Sequence, residues 1–291
     1  MARLAEAHEV VVWEERLPPT PDELGRHAAD AEGLLTLLTD RVDAELIEAC
    51  PRLRTISNYA VGYDNIDLAA ASRRGISVGN TPDVLTDATA DLTFALLMAA
   101  ARKLPEAIRA VEDGDWLTWE PARYLGAAVH GATLGIVGMG RIGRAVARRA
   151  EGFDMRVIGV GSSDPVNELL AEANFVSLHV PLTPATRYLI DAEALGRMRS
   201  TAILINTARG GIVDQAALKA ALEQGAIAGA ARDVTEPEPL PPDDPLLRAP
   251  NLIVTPHIGS ATRAARERMA ELAVDNLLAG LEGRPLPHQA N

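Results

Sequence analysis

The sequence predicts an α/β protein built from two doubly wound parallel-sheet domains. Short apolar runs alternate with helical stretches along most of the chain, a pattern typical of strands and helices in parallel sheets. One of these runs also leads directly into a glycine-rich turn. With 291 residues, 47% of them hydrophobic, the chain is long and apolar enough for two modest globular domains.

The first part of the chain predicts a small sheet. Strands are predicted at Val10 to Trp13, Gly33 to Leu38, Leu53 to Ser57 and Ile76 to Val78. Helices are predicted around them, at residues 4–8, 22–31, 43–49 and 67–74. From Thr81 and Pro82 onward the pattern changes to long helices.

The second part predicts a larger sheet preceded by a buried helix. Asp87 to Arg102 is apolar on most faces, so this helix must be buried in a core or in a subunit interface. A second helix follows at residues 105–113. Six strands are then predicted, at residues 134–137, 157–160, 175–180, 202–206, 227–233 and 252–255. A long helix at residues 261–281 closes the chain.

The most informative stretch is the glycine turn after Leu134 to Val137. Gly138, Gly140 and Gly143 form G-x-G-x-x-G between that strand and a predicted helix. In this context the motif predicts dinucleotide binding, because the first glycine permits the turn, the second admits the pyrophosphate and the third lets the helix pack closely. The alternative is an ordinary glycine turn.

Composition narrows the class of protein. The net charge of −12 argues against nucleic acid or an anionic membrane as partner, although local arginines can still bind an anionic substrate. The single cysteine, Cys50, excludes an internal disulfide and predicts a buried, reduced thiol. No apolar run approaches a membrane span and no signal core opens the chain, so we expect a cytoplasmic protein. No metal site is predicted.

Three polar stretches follow strands at their C-terminal ends, where open α/β sheets bind ligands. Arg209 follows an apolar strand and can clamp a carboxylate there, with a surface ion pair as the alternative. Glu238 lies in a loop stiffened by prolines, or in an ordinary acidic loop. His257 stands between a strand end and a Pro/Gly turn, although taken alone such a histidine is more often structural.

Together these residues predict reduction of a 2-oxo acid, which needs a cation for the carboxylate, a proton for the carbonyl oxygen and a hydride. Arg209 would supply the cation and His257 the proton. A nicotinamide held by residues 138–143 would supply the hydride. A carboxylate beside a histidine favours the imidazolium and fixes the ring, a role that Glu238 fits.

With these residues in place, the chain resembles the D-isomer-specific 2-hydroxyacid dehydrogenase family, and most of all its glyoxylate/hydroxypyruvate reductases. The similarity runs from about Val10 to Pro287. It rests on six motifs in the family's order, at residues 58–64, 81–87, 138–143, 206–214, 233–240 and 255–262. Glu238 separates the chain from the formate dehydrogenase branch, which has glutamine there. L-specific lactate and malate dehydrogenases fit less well, since their glycine motif opens the chain.

The resemblance implies a role for each matching position. Arg209 binds the carboxylate and carbonyl of the substrate, His257 donates the proton and Glu238 pairs with His257. The other implied substrate contacts are the amides of Val61 and Gly62, Ser260, and Trp119 lent by the partner subunit. The implied cofactor contacts are Gly138, Gly140, Arg141, Ile142, Gly143, Thr207, Asp233 and Gly259.

The resemblance also implies an arrangement of domains. A Rossmann-type cofactor domain at residues 82–258 is inserted in a smaller flavodoxin-like substrate domain at residues 1–81, to which the C-terminal helix at 259–291 returns. The family's dimer is built around the helix that Asp87 to Arg102 resembles, so we expect a homodimer. The chain departs from the family twice: a first strand is missing before Leu4, and a strand and helix are missing between Val160 and Val166.

The second departure removes the usual selector of the cofactor. An acid after the second strand favours NAD and an arginine favours NADP, whereas this chain has Gly161, Ser162 and Ser163. Similarity to the reductase branch gives a weak preference for NADP over NAD.

The sequence thus predicts an oxidoreductase that transfers hydride from NAD(P)H to glyoxylate or hydroxypyruvate, giving glycolate or D-glycerate, and it does not rank the two substrates. The alternative is a dinucleotide-binding regulatory protein or a catalytically impaired homologue. Arg209, Glu238 and His257 favour the enzyme.

Overall fold

The computed structural model describes residues 2–291. Within them, nine strands run in chain order: β1 Gly33–Thr36, β2 Thr55–Asn58, β3 Ser77–Gly79, β4 Thr133–Val137, β5 Arg156–Val160, β6 Phe175–Leu178, β7 Ile203–Asn206, β8 Gly229–Arg232 and β9 Leu252–Val254. Eleven α-helices accompany them: α1 Ala2–Ala5, α2 Pro21–Ala28, α3 Ala44–Ala49, α4 Leu68–Arg73, α5 Thr86–Ala101, α6 Leu104–Glu112, α7 Arg141–Glu151, α8 Asn167–Glu172, α9 Ala192–Arg197, α10 Gln215–Glu223 and α11 Arg263–Leu281. None of these helices is long and apolar enough to cross a bilayer.

The chain divides into two compact units. The first consists of the chain up to Leu85 together with Ala261–Asn291, and the second is Thr86–Ser260. In the first unit, β1, β2 and β3 form a parallel sheet in that order, with Leu34 opposite Ile56 and Ile56 opposite Val78. α11 packs against all three strands.

One strand predicted in this unit is wrong. Residues 9–14, which include the predicted strand Val10 to Trp13, have no regular structure. A strand is held by hydrogen bonds to a neighbouring strand, and the three-stranded sheet ends at β1 without pairing to this segment. Val11 and Val12 are accordingly 70% and 56% exposed. Their apolar, β-branched character was therefore an insufficient signal.

The second unit contains a six-stranded parallel sheet in the order β5-β4-β6-β7-β8-β9. The chain moves outward from β4 to β5 and then crosses back to β6 on the other side of β4, which creates a topological switch point at β4. Two apolar cores cover the two faces: one includes α5 and α7, and the other includes α8, α9 and α10. The predicted doubly wound parallel architecture is confirmed for this sheet, and all six predicted strands are present.

α5 is buried within its own unit, as its apolar sequence predicts. Phe94, Leu96 and Leu97 lie in the core, and the helix packs against α7 and against β7, β8 and β9. The link from β5 to β6 contains only the short helix α8, so β5 remains the edge strand of the sheet. The C-terminal ends of all six parallel strands lie at one edge of the sheet, where the polar motifs follow.

Candidate active site

The glycine turn joins β4 to α7 at the switch point. Gly138 has a φ of 103°, a backbone conformation that L side chains rarely adopt. The N–H groups of Gly138 and Met139 donate to the carbonyl of Val160 at 2.9 and 3.2 Å. These two bonds fix the turn against the end of the neighbouring strand β5.

The turn has the features that a dinucleotide pyrophosphate requires. A Cβ at Gly143 would lie 2.1 Å from the carbonyl oxygen of Gly138, so only glycine lets α7 begin this close to the turn. A Cβ at Gly140 would meet nothing within 4 Å, so the space before the helix is open. Gly140 caps α7 without a side-chain hydrogen bond, and the first turn of the helix, which begins at Arg141 and Ile142, presents backbone N–H groups toward that space. These residues fit NAD(P).

Asp233 organises the turn that carries His257. Its buried carboxylate accepts hydrogen bonds from three groups of that turn: the hydroxyl of Thr255 at 2.6 Å, the N–H of Ile258 at 2.9 Å and the N–H of Gly259 at 2.7 Å. The N–H of His257 also donates to the backbone carbonyl of Asp233 at 2.9 Å. The predicted cofactor residue Asp233 therefore uses its carboxylate within the protein.

His257 and Glu238 form a pair, as the sequence predicts. Nδ1 of His257 donates to Oε1 of Glu238. His257 has a φ of 53°, so the turn holds the histidine in a left-handed conformation that few residues other than glycine adopt. The two side chains are 23% and 29% exposed, so both remain accessible. Because Nδ1 is engaged with Glu238, Nε2 is the ring atom that can exchange a proton with a substrate.

The surroundings of Glu238 keep its carboxylate ionised. Burial alone would raise its pKa, but the hydrogen bond and charge of His257, the N–H of Thr235 at 3.3 Å and the charge of Arg209 outweigh burial. The net effect lowers the pKa of Glu238 below its ordinary value of 4.5. An ionised Glu238 is what a protonated His257 requires beside it.

Arg209 follows β7 in a loop that lies against the Glu238 loop. The side chain of Asn206 braces this loop, donating to the carbonyl of Arg209 at 2.9 Å and accepting from the N–H of Ala208 at 3.0 Å. A Cβ at Gly210 would lie 1.9 Å from the carbonyl oxygen of Thr235, so only glycine permits this approach. The half-buried Arg209 guanidinium thereby lies near enough to Glu238 to stabilise its charge.

Arg232 supports the same region and was not predicted. It is fully buried at the end of β8 and donates to the carbonyl of Gly210 and to Oε1 of Gln215, both at 3.1 Å. Burial lowers its pKa to about 10, so it stays charged at neutral pH. The available signal was an arginine directly after the apolar part of the predicted strand at residues 227–233.

A second support also went unpredicted. Arg187 donates to Oε1 of Glu236 at 2.8 Å, and the hydroxyl of Tyr188 donates to Oε2 of Glu236 at 3.2 Å. These contacts brace the loop that carries Glu238 against the loop before α9. They join segments nearly fifty residues apart, and no local pattern in the sequence indicated them.

The remaining predicted residues lie around this site or in the other unit. Thr207 is buried and shares a hydrogen bond of 2.8 Å with Thr93, and Gly259 packs against Asp233 and Thr89. Ser260 ends the second unit, half-buried. Trp119 also belongs to that unit and is 80% exposed.

Val61 and Gly62 belong to the first unit, after β2. Their carbonyls accept from Asn80 and Asn58 at 2.8 Å. No backbone carbonyl among residues 2–291 accepts a hydrogen bond from their N–H groups.

Comparison with known proteins places this geometry in a family. The model of the D-isomer specific 2-hydroxyacid dehydrogenase NAD binding domain matches residues 94–259, a span that includes the glycine turn and the His257 pair. The chain belongs to the D-isomer specific 2-hydroxyacid dehydrogenase family. The predicted family, the α/β fold class and the predicted enzyme class, an NAD(P)-dependent oxidoreductase of small 2-oxo acids, are thereby confirmed.

Individual relatives match the dehydrogenase over nearly its whole length. A glyoxylate reductase of Korarchaeum cryptofilum is 50% identical over 100% of this chain and 92% of that protein. The crystal structure of the TT0316 protein of Thermus thermophilus has 49% identity and a TM-score of 0.94, covering 100% and 96% of the two chains. An NADPH-dependent glyoxylate/hydroxypyruvate reductase of Sinorhizobium meliloti, in complex with NADP and malonate, has 33% identity and a TM-score of 0.86, covering 99% and 92%.

The lowered pKa of Glu238 predicts a pH-dependent contribution to stability. The folded dehydrogenase keeps this carboxylate ionised at pH values where the unfolded chain, with an ordinary pKa of 4.5, takes up a proton. The contribution is therefore complete above pH 4.5 and is lost as pH falls through the lower pKa of the folded state. In urea unfolding at stepped pH, the stability lost in Glu238→Gln should shrink below pH 4.5.

Glu151→Gln, a change at an exposed glutamate at the end of α7, is the matched control and should follow the wild type throughout. A stability difference between wild type and Glu238→Gln that stays constant down to about pH 3, well below the ordinary range of a glutamate, would contradict this account of the pair.

Proposed function

We propose that this dehydrogenase reduces glyoxylate or hydroxypyruvate, giving glycolate or D-glycerate. The observation that carries the proposal is the His257–Glu238 pair, with Arg209 beside it, at the C-terminal edge of the sheet that holds the glycine turn. Relatives named glyoxylate reductase, 46–50% identical over 98–100% of this chain, support the substrate class.

The residues proposed for the cofactor are those of the glycine turn, with Thr207, Asp233 and Gly259 lining the rest of the site. Bound there, a reduced nicotinamide supplies the hydride that the carbonyl carbon of the substrate accepts. The N-terminal N–H groups of α7 bind the pyrophosphate. The carboxylate of Asp233 contributes to this site indirectly, because it accepts the hydrogen bonds that hold the 255–259 turn in place.

Arg209 binds the substrate carboxylate and polarises the carbonyl. A guanidinium donates two parallel hydrogen bonds to a carboxylate, which fixes the orientation of a small 2-oxo acid. We propose that the N–H groups of Val61 and Gly62 also bind that carboxylate, and that Ser260 contacts the substrate. On this proposal residues 1–81 and 259–291 form the substrate domain, and residues 82–258 form the cofactor domain.

His257 donates the proton. Its Nε2–H transfers a proton to the carbonyl oxygen as that oxygen gains negative charge, and the ring becomes neutral imidazole. Glu238 remains ionised throughout, holds Nδ1–H and stabilises the imidazolium before transfer. Because His257 is partly exposed, water can restore its proton after each turnover.

The cofactor itself is NAD or NADP. The predicted weak preference for NADP was based on similarity to the reductase branch, because residues 161–163 contain neither an acid nor an arginine. The structure brings Asp164 back against Gly161, with 2.7 Å between Oδ2 and the amide nitrogen. The folded turn therefore holds a carboxylate beside the first residue after β5.

Turnover tests the proposed reaction directly. Loss of reduced-nicotinamide absorbance should occur with glyoxylate and with hydroxypyruvate. In His257→Ala, kcat should fall by about 10²–10⁴-fold, the usual contribution of a positioned general acid, while cofactor binding persists. His130→Ala, a change at a 76% exposed histidine that pairs with Asp154, is the control and should keep wild-type kcat.

A folded protein that binds the dinucleotide but turns over neither substrate with NADH or NADPH would contradict the proposal. That result would favour the alternative, a regulatory or catalytically impaired homologue.

We also propose that the dehydrogenase is a homodimer. α6 exposes Leu104, Ile108 and Val111 by 46%, 56% and 57%, and the loop after it exposes Trp116, Leu117 and Trp119 by 67%, 87% and 80%. Large apolar side chains exposed together along one segment are typical of an interface. A second copy is the proposed occupant, and Trp119 would be lent to the partner's active site.

Light scattering after size exclusion should give the mass of two chains for the wild type. Replacing both Ile108 and Val111 by glutamate should give a monomer, because two charges would be desolvated in the interface. Changing the exposed Asp113 and Asp115 to asparagine is the control and should leave the mass of the assembly unchanged. A monomeric wild type would contradict the proposal.

A further inference from the structure

Asp164 lies four residues beyond β5 in the sequence, but its carboxylate is next to the C-terminal end of that strand. The chain turns at Gly161 to Ser163, and Oδ2 of Asp164 accepts a hydrogen bond from the N–H of Gly161 at 2.7 Å. The carboxylate therefore lies against the first residue after the strand. Residues 161–163 contain no acid, but the folded turn brings the carboxylate of Asp164 to their position.

This end of β5 directly adjoins the glycine turn. Val160, the residue before Gly161, accepts the hydrogen bonds of Gly138 and Met139. In a doubly wound domain the dinucleotide pyrophosphate binds at the glycine turn, and the adenosine ribose lies over the end of the next strand. Asp164 is thus next to the half of the site where NAD and NADP differ.

Two features hold the carboxylate in place. A Cβ at Gly161 would lie 2.9 Å from Oδ2 of Asp164, so the absence of a side chain at residue 161 makes room for the carboxylate. On the other side, Pro165 restricts the backbone, and Val166 is only 8% exposed in the core against α8. The short crossover is therefore anchored at both ends of the turn.

The charged side chains of the crossover from β5 to β6 are all acidic. Between Val157 and Thr186 the sequence contains no lysine or arginine. Arg156, at the start of β5, is paired with Glu172 at 2.5 Å. The crossover offers a 2′-phosphate no lysine or arginine, and it presents a carboxylate instead.

From this arrangement we infer that Asp164 selects the cofactor and favours NAD over NADP. The carboxylate accepts a hydrogen bond from the 2′-hydroxyl of the adenosine ribose in NAD, and it repels the 2′-phosphate of NADP. The inference rests on the proposed function only in that the glycine turn binds a dinucleotide.

Equilibrium binding measured by calorimetry tests the inference without any turnover. The wild type should bind NAD⁺ more tightly than NADP⁺. In Asp164→Asn that ratio should fall by about tenfold, mainly through tighter NADP⁺ binding, which corresponds to loss of one exposed like-charge contact. Glu168→Gln removes the same charge from an exposed position in the first turn of α8 and should leave the ratio unchanged.

Tighter binding of NADP⁺ by the wild type, or an unchanged ratio in Asp164→Asn, would overturn the inference and point to Arg141 or Arg144 of α7 as the selecting groups. Failure to bind either dinucleotide would also overturn it. Loss of 2-oxo acid turnover, with the binding ratio still responding to Asp164, would contradict the proposed reaction and leave this inference standing.

Discussion

The candidate active site depends on one buried carboxylate. Asp233 directly follows β8, the strand that precedes the Glu238 loop, and its carboxylate accepts three hydrogen bonds from the turn that follows β9. Those bonds join two segments that meet only because β8 and β9 are neighbours in the sheet. A carboxylate can accept all three donors at once, whereas an amide or a hydroxyl offers fewer acceptors. The position of His257 relative to Glu238 follows from this constraint.

Charge balance at the site follows from the same packing. Gly210 brings the Arg209 loop against Thr235, and Arg232 ties Gly210 to the buried end of β8. The cations Arg209 and Arg232 therefore lie beside a loop that carries Glu236 and Glu238. The pKa of Glu238 is lowered because His257, the N–H of Thr235 and the charge of Arg209 prevail over burial. One sheet edge thus supplies a cation for an anionic substrate and an ionised partner for the proton donor.

Much of the fold and of the candidate active site was predictable from the sequence, because the patterns that indicate them lie within short segments of the chain. The strands of the second unit, the glycine turn and the positions of Arg209 and His257 after strand ends all follow from short patterns of apolar residues and turn residues. The predicted His257–Glu238 pair is present, although its partners are nineteen residues apart. The predicted strand at Val10 to Trp13 was wrong, because strand propensity does not provide a strand to pair with.

What the sequence did not reveal depends on contacts between distant segments. The use of the Asp233 carboxylate by the 255–259 turn, the Arg187–Glu236 contact and the support from Arg232 each require knowledge of which loops adjoin. Asp164 was missed for a different reason: its contact with Gly161 is local, but its carboxylate reaches the strand end only through the turn that begins at Gly161. The sequence therefore predicted the features that a single segment determines, whereas contacts between loops could be identified only from the order of the strands in the sheet.

The most direct test of this account is the kinetics of Asp233→Asn. The new amide places an N–H₂ group against a donor of the 255–259 turn, so His257 should move away from its working position. We predict that kcat falls by roughly 100-fold, the cost of a small misplacement of a catalytic group, while the protein remains folded. Asp243→Asn, a change at an exposed loop residue, should have wild-type activity. Wild-type kcat in Asp233→Asn would contradict the claim that this carboxylate positions His257.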